Sequence, residues 1–148
     1  MSRTKSAIFI FIVIVAAIII ALRVDYTDKY VGDRFTKALK SGQYDDNQSF
    51  SLDAFLEFYD WDKVCIALPD TQMDFRTRGK LPYKLKWNDK DHWTLVLTKA
   101  HYVVVEIPFH RNELEAPDHL QGMCFERWKA IVKIVDKGGT PKLRFVGE

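Results

Sequence analysis

The chain has 148 residues, 47% of them hydrophobic, with 22 basic against 20 acidic residues and a formal net charge of +2. Arg3, Lys5 and Arg23 flank one apolar run, and setting them aside leaves 19 basic against 20 acidic residues. The slight basic balance therefore belongs to the N-terminal stretch, which removes the usual electrostatic reason to expect nucleic acid. The chain beyond Val24 is long enough for one domain with one core.

The run from Ala7 to Leu22 is sixteen apolar residues without a break. As a helix rising ~1.5 Å per residue it reaches roughly 24 Å, short of the ~30 Å hydrocarbon core. Ser6, Val24 and local thinning of the bilayer extend that reach. Ala21 could precede a signal cleavage, but Ile19 would then stand where a small side chain is preferred. No cysteine follows the run for lipid attachment. The expectation is an uncleaved N-terminal anchor over residues 1–24, meeting the membrane through residues 6–24. A cleaved signal or a buried core helix are the alternatives. Arg3 and Lys5 before the run, against mixed Arg23, Asp25, Asp28 and Lys29 after it, place the N-terminus in the cytoplasm. The rest then lies in the periplasm of a bacterial inner-membrane, single-pass protein.

Residues 25–49 read as an amphipathic helix and a linker. Val31, Phe35 and Leu39 recur at four-residue steps from Asp28 to Lys40, and Ser41-Gly42 stops the run. Gln43 to Ser49 is polar and without pattern. Residues 50–148 read as one extracytoplasmic domain. Leu52, Phe55, Leu56 and Tyr59 have helical spacing, predicting a short helix. Val64, Ile66 and Leu68 alternate with Cys65 and Ala67, predicting a strand buried on both faces and ended by Pro69. Tyr83, Leu85 and Trp87 alternate with Lys84 and Lys86, the pattern of a half-buried strand. "WTLVLT" and "YVVVEI" around Lys99-Ala100-His101 predict a hairpin, and Phe109 to Gly122 a polar loop. "RWKAIVKIV" and "PKLRFVG" around Asp136–Thr140 predict a second hairpin. The sum is an α+β fold: a transmembrane helix, then a small domain with a single, mostly antiparallel sheet covered by one or two helices.

In Asp60-Trp61-Asp62 the acids are two residues apart, so in a strand both carboxylates would face the same way. Such a pair can perform acid and base work if its surroundings split the two pKa values. No nucleophile or electrophilic clamp stands nearby in sequence, so the expected role is structural, with Trp61 anchoring the entrance to the strand. The segment around it, with Phe50, Ser51, Leu52, Trp61, Asp62, Lys63, Val64 and Pro69, resembles a group of small bacterial envelope proteins and lipoproteins. Their shared pattern is a Trp-Asp-Lys-Val run leading into an apolar strand and a proline. The resemblance implies an envelope location and no established activity. This chain departs from the pattern in lacking the lipobox cysteine and in having Asp70 after Pro69, where an aromatic residue is common.

Cys65 and Cys124 could pair in an oxidising compartment, and two buried thiols would look the same in sequence. His92, His101, His110 and His119 stand nine residues apart, which is no helical, strand or metal-site period. His110, Glu113, Glu115, Asp118 and His119 crowd one loop but lack a rigid two-histidine step, so a solvated loop is the default and no metal or cofactor is expected.

The most informative pattern is basic. Lys84 and Lys86, then Arg127, Lys129 and Lys133, then Lys142 and Arg144 each alternate with residues expected in the core. Three strands would then show cations on one solvent face. Lysines there also keep a sheet soluble and discourage edge pairing. As a binding face they suit an acidic protein partner or an anionic lipid surface. The functional expectation is a membrane-tethered extracytoplasmic binding or inhibitor module without catalysis, of which a toxin-immunity protein is one version. An accessory subunit of an envelope membrane complex is one alternative. A small envelope hydrolase using Asp60, Asp62 or the His110–His119 loop is the other.

Overall fold

The structure, a computed structural model, describes residues 3–23, 26–40, 48–87, 89–118, 120, 122–136 and 138–147. Val24, Asp25, the helix stop at Ser41-Gly42, most of the Gln43–Ser49 linker, His119 and Lys137 lie outside those residues.

The apolar run forms helix α1, Arg3–Arg23. The expected membrane anchor is overturned: among the described residues, no helix is long and apolar enough to cross a membrane. The reason is length. α1 has 21 residues, but its charged ends leave the sixteen-residue apolar run, roughly 24 Å against a core of ~30 Å. The transmembrane segment and signal anchor of the expected fold fall with it. So does the placement as a single-pass inner-membrane protein with a periplasmic domain.

Helix α2, Tyr26–Lys40, follows the predicted period and buries Phe35. It lies close against strand β4 (Tyr102–His110), and Gly32 makes that approach possible. A methyl group at Gly32 would sit 2.7 Å from the Pro108 carbonyl oxygen, too close for any side chain. The predicted helix after Phe50 is shorter than its pattern. Ser49–Ser51 instead forms strand β1, and only Leu52–Phe55 forms helix α3. Ser51 caps that helix, its hydroxyl accepting from the Asp53 N–H at 3.2 Å.

The single expected sheet is two sheets. Strands β2 (Lys63–Ala67), β3 (His92–Lys99), β4 (Tyr102–His110) and β5 (Cys124–Glu126) form one, in the order β4-β3-β2-β5. Strands β1, β6 (Ile131–Val135) and β7 (Lys142–Phe145) form the other, in the order β1-β6-β7. All the strand pairs are antiparallel. The main core lies between the sheets. Val64, Ile66, Trp93, Leu95, Leu97 and Ile107 from the larger sheet meet Val132, Ile134, Leu143 and Phe145 from the smaller one. α2 and α3 add Phe35, Leu52 and Leu56 to the same cluster.

The opposite face of the four-stranded sheet is also covered. Cys65, Ala67 and Val96 point there and pack against Phe75, Met73, Tyr83 and Leu85 from the connection between β2 and β3. The predicted strand at Tyr83–Trp87 is thus overturned: its alternation is real, but the segment runs across the sheet as a strap rather than pairing into it. Glu106, fully buried on β4, holds it in place. One carboxyl oxygen accepts from the Tyr83 hydroxyl and the Lys86 N–H, both at 3.0 Å, and the other from the Trp87 N–H at 2.8 Å. Burying a carboxyl without partners would cost several kcal/mol, on the order of the stability of a small domain. Three donors aimed at it are what make the position tenable.

The sequence pattern predicts no strand at β5, yet one forms and is joined covalently to its neighbour. Cys65 and Cys124 are opposite each other in the β2–β5 ladder and form a disulfide. They fall between the backbone bonds Arg127 N–H to Asp62 carbonyl and Ile66 N–H to Met123 carbonyl. That is the narrow kind of antiparallel pair, where side chains stand closest.

Candidate functional site

The Asp60-Trp61-Asp62 motif is a clasp. Trp61 is buried in the main core, and its indole N–H donates to the Leu56 carbonyl at 3.3 Å. The Arg127 guanidinium lies 5.1 Å from the Trp61 ring centroid, donates to the Trp61 carbonyl at 3.2 Å, and pairs with Asp53 at 2.5 Å. The two acids act on the β3–β4 hairpin. Its two-residue turn puts Ala100 at φ 45° and His101 at φ 74°. Those values cost an L-residue roughly 1–2 kcal/mol each. Asp62 accepts from the Ala100 N–H at 3.1 Å. Asp60 pairs with Lys99 and, through that hydrogen bond, raises the Lys99 ammonium above its usual pKa. The carboxylates are thus committed to different partners, and Pro69 ends the turn-side of β2 as its position in the sequence implies.

The histidines divide. His92 and His110 are directly paired across β3 and β4, with ring centroids 5.2 Å apart. His92 Nδ1 lies 2.7 Å from an Asp89 carboxylate oxygen, and this hydrogen bond holds the Asp89 carboxyl below its ordinary pKa. His110 Nδ1 accepts from the Asn112 N–H at 3.2 Å. The rings sit at the mouth of an open cleft of about 500 Å³ lined also by Asp33, Trp87 and Glu113. His101 is at the hairpin turn, away from them. Glu115 and Asp118 of the crowded loop turn instead to Lys142, at 3.7 and 2.5 Å. Among the described residues no three histidine, cysteine or acidic side chains are grouped to hold a metal. The cleft brings an Asp-His pair and a second histidine together, and Thr36 of α2 is on its lining.

The seven expected cations do not share one face. Lys84 and Lys86 project from the outside of the strap, with the four-stranded sheet and the core between them and the rest. Arg127 turns to Asp53 and Trp61, and Lys142 to Asp118 and Glu115. Lys133 and Arg144 do come together, directly opposite each other in the β6–β7 ladder. Because Val132, Ile134, Leu143 and Phe145 point into the core, this pair points away from it, toward solvent. Lys129 stands at the same end of β6 in a 3-10 turn, Arg127–Lys129, its ammonium 5.1 Å from the Trp128 ring centroid.

Trp128 is the residue the strand pattern misplaces. Alternating with Arg127 and Lys129, it would face the core in a continuous strand, but it is 73% exposed. Val146 and Ile131, paired through the Val146 N–H and the Ile131 carbonyl at 2.9 Å, are the partly exposed apolar residues on the outer face of β6 and the end of the chain after β7. The site is therefore the open face of the three-stranded sheet, with Lys133, Arg144, Ile131 and Val146 on it, and Lys129 and Trp128 in the turn that leads into β6.

Comparison of the chain with protein-family models, with curated proteins and with solved structures finds no match.

Proposed function

We propose that the chain is a non-catalytic binding module that takes an acidic protein partner on the open face of its three-stranded sheet. The carrying observation is the Lys133–Arg144 pair. Like charges placed directly opposite in a sheet oppose its formation. No acidic side chain lies in ion-pair range of either cation among the described residues. Carboxylates brought by a partner relieve that repulsion, so the free module carries a local conflict that binding resolves. Trp128, wide, exposed and bracketed by cations, has the character of an interface anchor. The Cys65–Cys124 bond suits a module that works where thiols stay oxidised.

Poly-L-glutamate serves as a defined acidic probe. Lys133→Glu with Arg144→Glu should weaken its binding by about tenfold or more and flatten the salt dependence, because screening acts on exposed charges. The same reversal at Lys84 and Lys86, on the far side of the molecule, changes net charge equally and should leave binding nearly unchanged. Equal losses in the two variants, measured by titration at matched ionic strength, would mean that only net charge matters and would remove the face as a site.

A further inference from the structure

The outer edge of β7 adds a backbone element to that face. The Val146 N–H bonds to the Ile131 carbonyl, so the even-numbered residues of this segment bond inward to β6. The odd-numbered Leu143 and Phe145 therefore turn their N–H and C=O groups to the outer edge. Glu115 meets only the beginning of that edge. Its N–H donates to the Pro141 carbonyl at 2.8 Å, and its carbonyl is 3.5 Å from the Leu143 N–H. Beyond that bridge, among the described residues, no backbone group pairs with the Leu143 carbonyl or with the outward N–H and C=O of Phe145. An unpaired, unblocked strand edge is a template for another strand.

The edge opens into a cleft of about 810 Å³ lined by all four residues of β7. One part of its lining, the floor, is apolar, while Glu115 and Asp118, both paired with Lys142, line it as well. Phe125 of β5 stacks on Phe145 with centroids 4.5 Å apart, and Leu120 lies beside them. The cleft is where an edge of each sheet meets the other. A strand laid along β7 would turn alternate side chains to its two sides. Those level with Leu143 and Phe145 enter the apolar floor; those level with Arg144 come beside the unpaired Arg144 and Lys133 on the open face.

We infer that the acidic partner is held as an extended segment, alternating acidic and apolar residues, added antiparallel to the free edge of β7. This rests on the acidic-partner reading and names the shape the partner takes. Backbone bonds to Leu143 and Phe145 supply affinity without regard to sequence, and the alternation supplies selectivity. In an antiparallel pair the residue opposite Phe145 shares its face and exchanges both backbone bonds with it. The apolar residues of the segment are thus the ones whose N–H groups reach β7.

The probe is an end-capped (Glu-Val)4 peptide titrated against the full chain. N-methylating the valines removes the N–H groups aimed at β7 and should weaken binding by about tenfold or more. N-methylating the glutamates instead should leave it within about twofold, since those groups face away. Equal binding of all three peptides overturns strand addition, and so does a greater loss from the methylated glutamates. The acidic-face reading fails separately, if reversing Lys133 and Arg144 leaves the unmodified peptide bound as before.

Discussion

The two sheets of this molecule solve the same burial problem in different ways. In the four-stranded sheet, β3 buries six residues in succession from Trp93 to Thr98. In the three-stranded sheet, β6 buries only alternate residues. A run buried at every position needs cover on both faces, and an alternating one needs cover on a single face. The larger sheet receives its second cover from a strap with little regular structure, fixed by one carboxyl group. The smaller sheet leaves that face to solvent, and it is there that unpaired cations and an exposed tryptophan collect. The four-stranded sheet is covered on both faces, while the three-stranded one keeps one face open.

The largest expected effect is a charge placed under the strap. Val96 is fully buried on that side, so Val96→Glu leaves a carboxylate without a partner and should cost on the order of 3–5 kcal/mol or prevent folding. Urea denaturation measures it. A cost below about 1 kcal/mol would mean that the strap side is as open as the outer face of the smaller sheet.

Glu106→Gln is gentler and sharpens the same contrast. The amide keeps one oxygen for the Tyr83 hydroxyl and Lys86 N–H but turns its NH2 toward the Trp87 N–H. Losing that acceptor should cost ~1–3 kcal/mol. Hydrogen exchange should rise first at Lys86 and Trp87 and leave the β6–β7 amides protected. Uniform acceleration over both sheets would show that the strap and sheet open only together.

The smallest effect has the opposite sign. Lys133→Glu turns the like-charged cross-strand pair into one of opposite charge, a carboxylate facing Arg144, and should raise stability by ~0.2–1 kcal/mol. A binding face that is stabilised by losing a native charge fits selection for something other than folding. If the thermal midpoint falls instead, the repulsion between Lys133 and Arg144 is not felt in the native protein.

Much of this difference is written in the residue order. The continuous apolar run through β2 and the alternation after Ala130 announce, respectively, a doubly covered and a singly covered strand, and the Lys99–Tyr102 hairpin is where its pattern puts it. Other features are not legible there. Alternation at Tyr83–Trp87 marks one face in contact with a core, but it does not say whether the backbone bonds to strands or to a single Glu106. The acid inside "YVVVEIPF" is the available clue, since a lone carboxyl in a buried run requires donors from elsewhere. The division into two sheets depends on contacts between distant segments, such as Phe50 with Val132, that no local period encodes. Of the candidate site, Lys129, Lys133 and Arg144 are visible in the sequence, whereas the removal of Arg127 and Lys142 by Asp53 and Asp118 requires tertiary contacts. The N-terminal run misleads in another way: its apolar character is conspicuous, but its length decides.

The bond between Cys65 and Cys124 also alters how the chain is connected. Their 59-residue separation closes a covalent ring that contains the strap, β3, β4 and the loop after it. β1 is attached to the ring on one side, β6 and β7 on the other. The shortest through-bond route between β1 and β6 of the three-stranded sheet therefore crosses the sulfur atoms instead of following the backbone. A protease that severs the strap between Thr71 and Trp87 leaves a molecule of unchanged mass, apart from the added water, until a reductant is present. The three-stranded sheet is thus insulated from damage to the cover of its neighbour, with both halves of the cut chain still tethered.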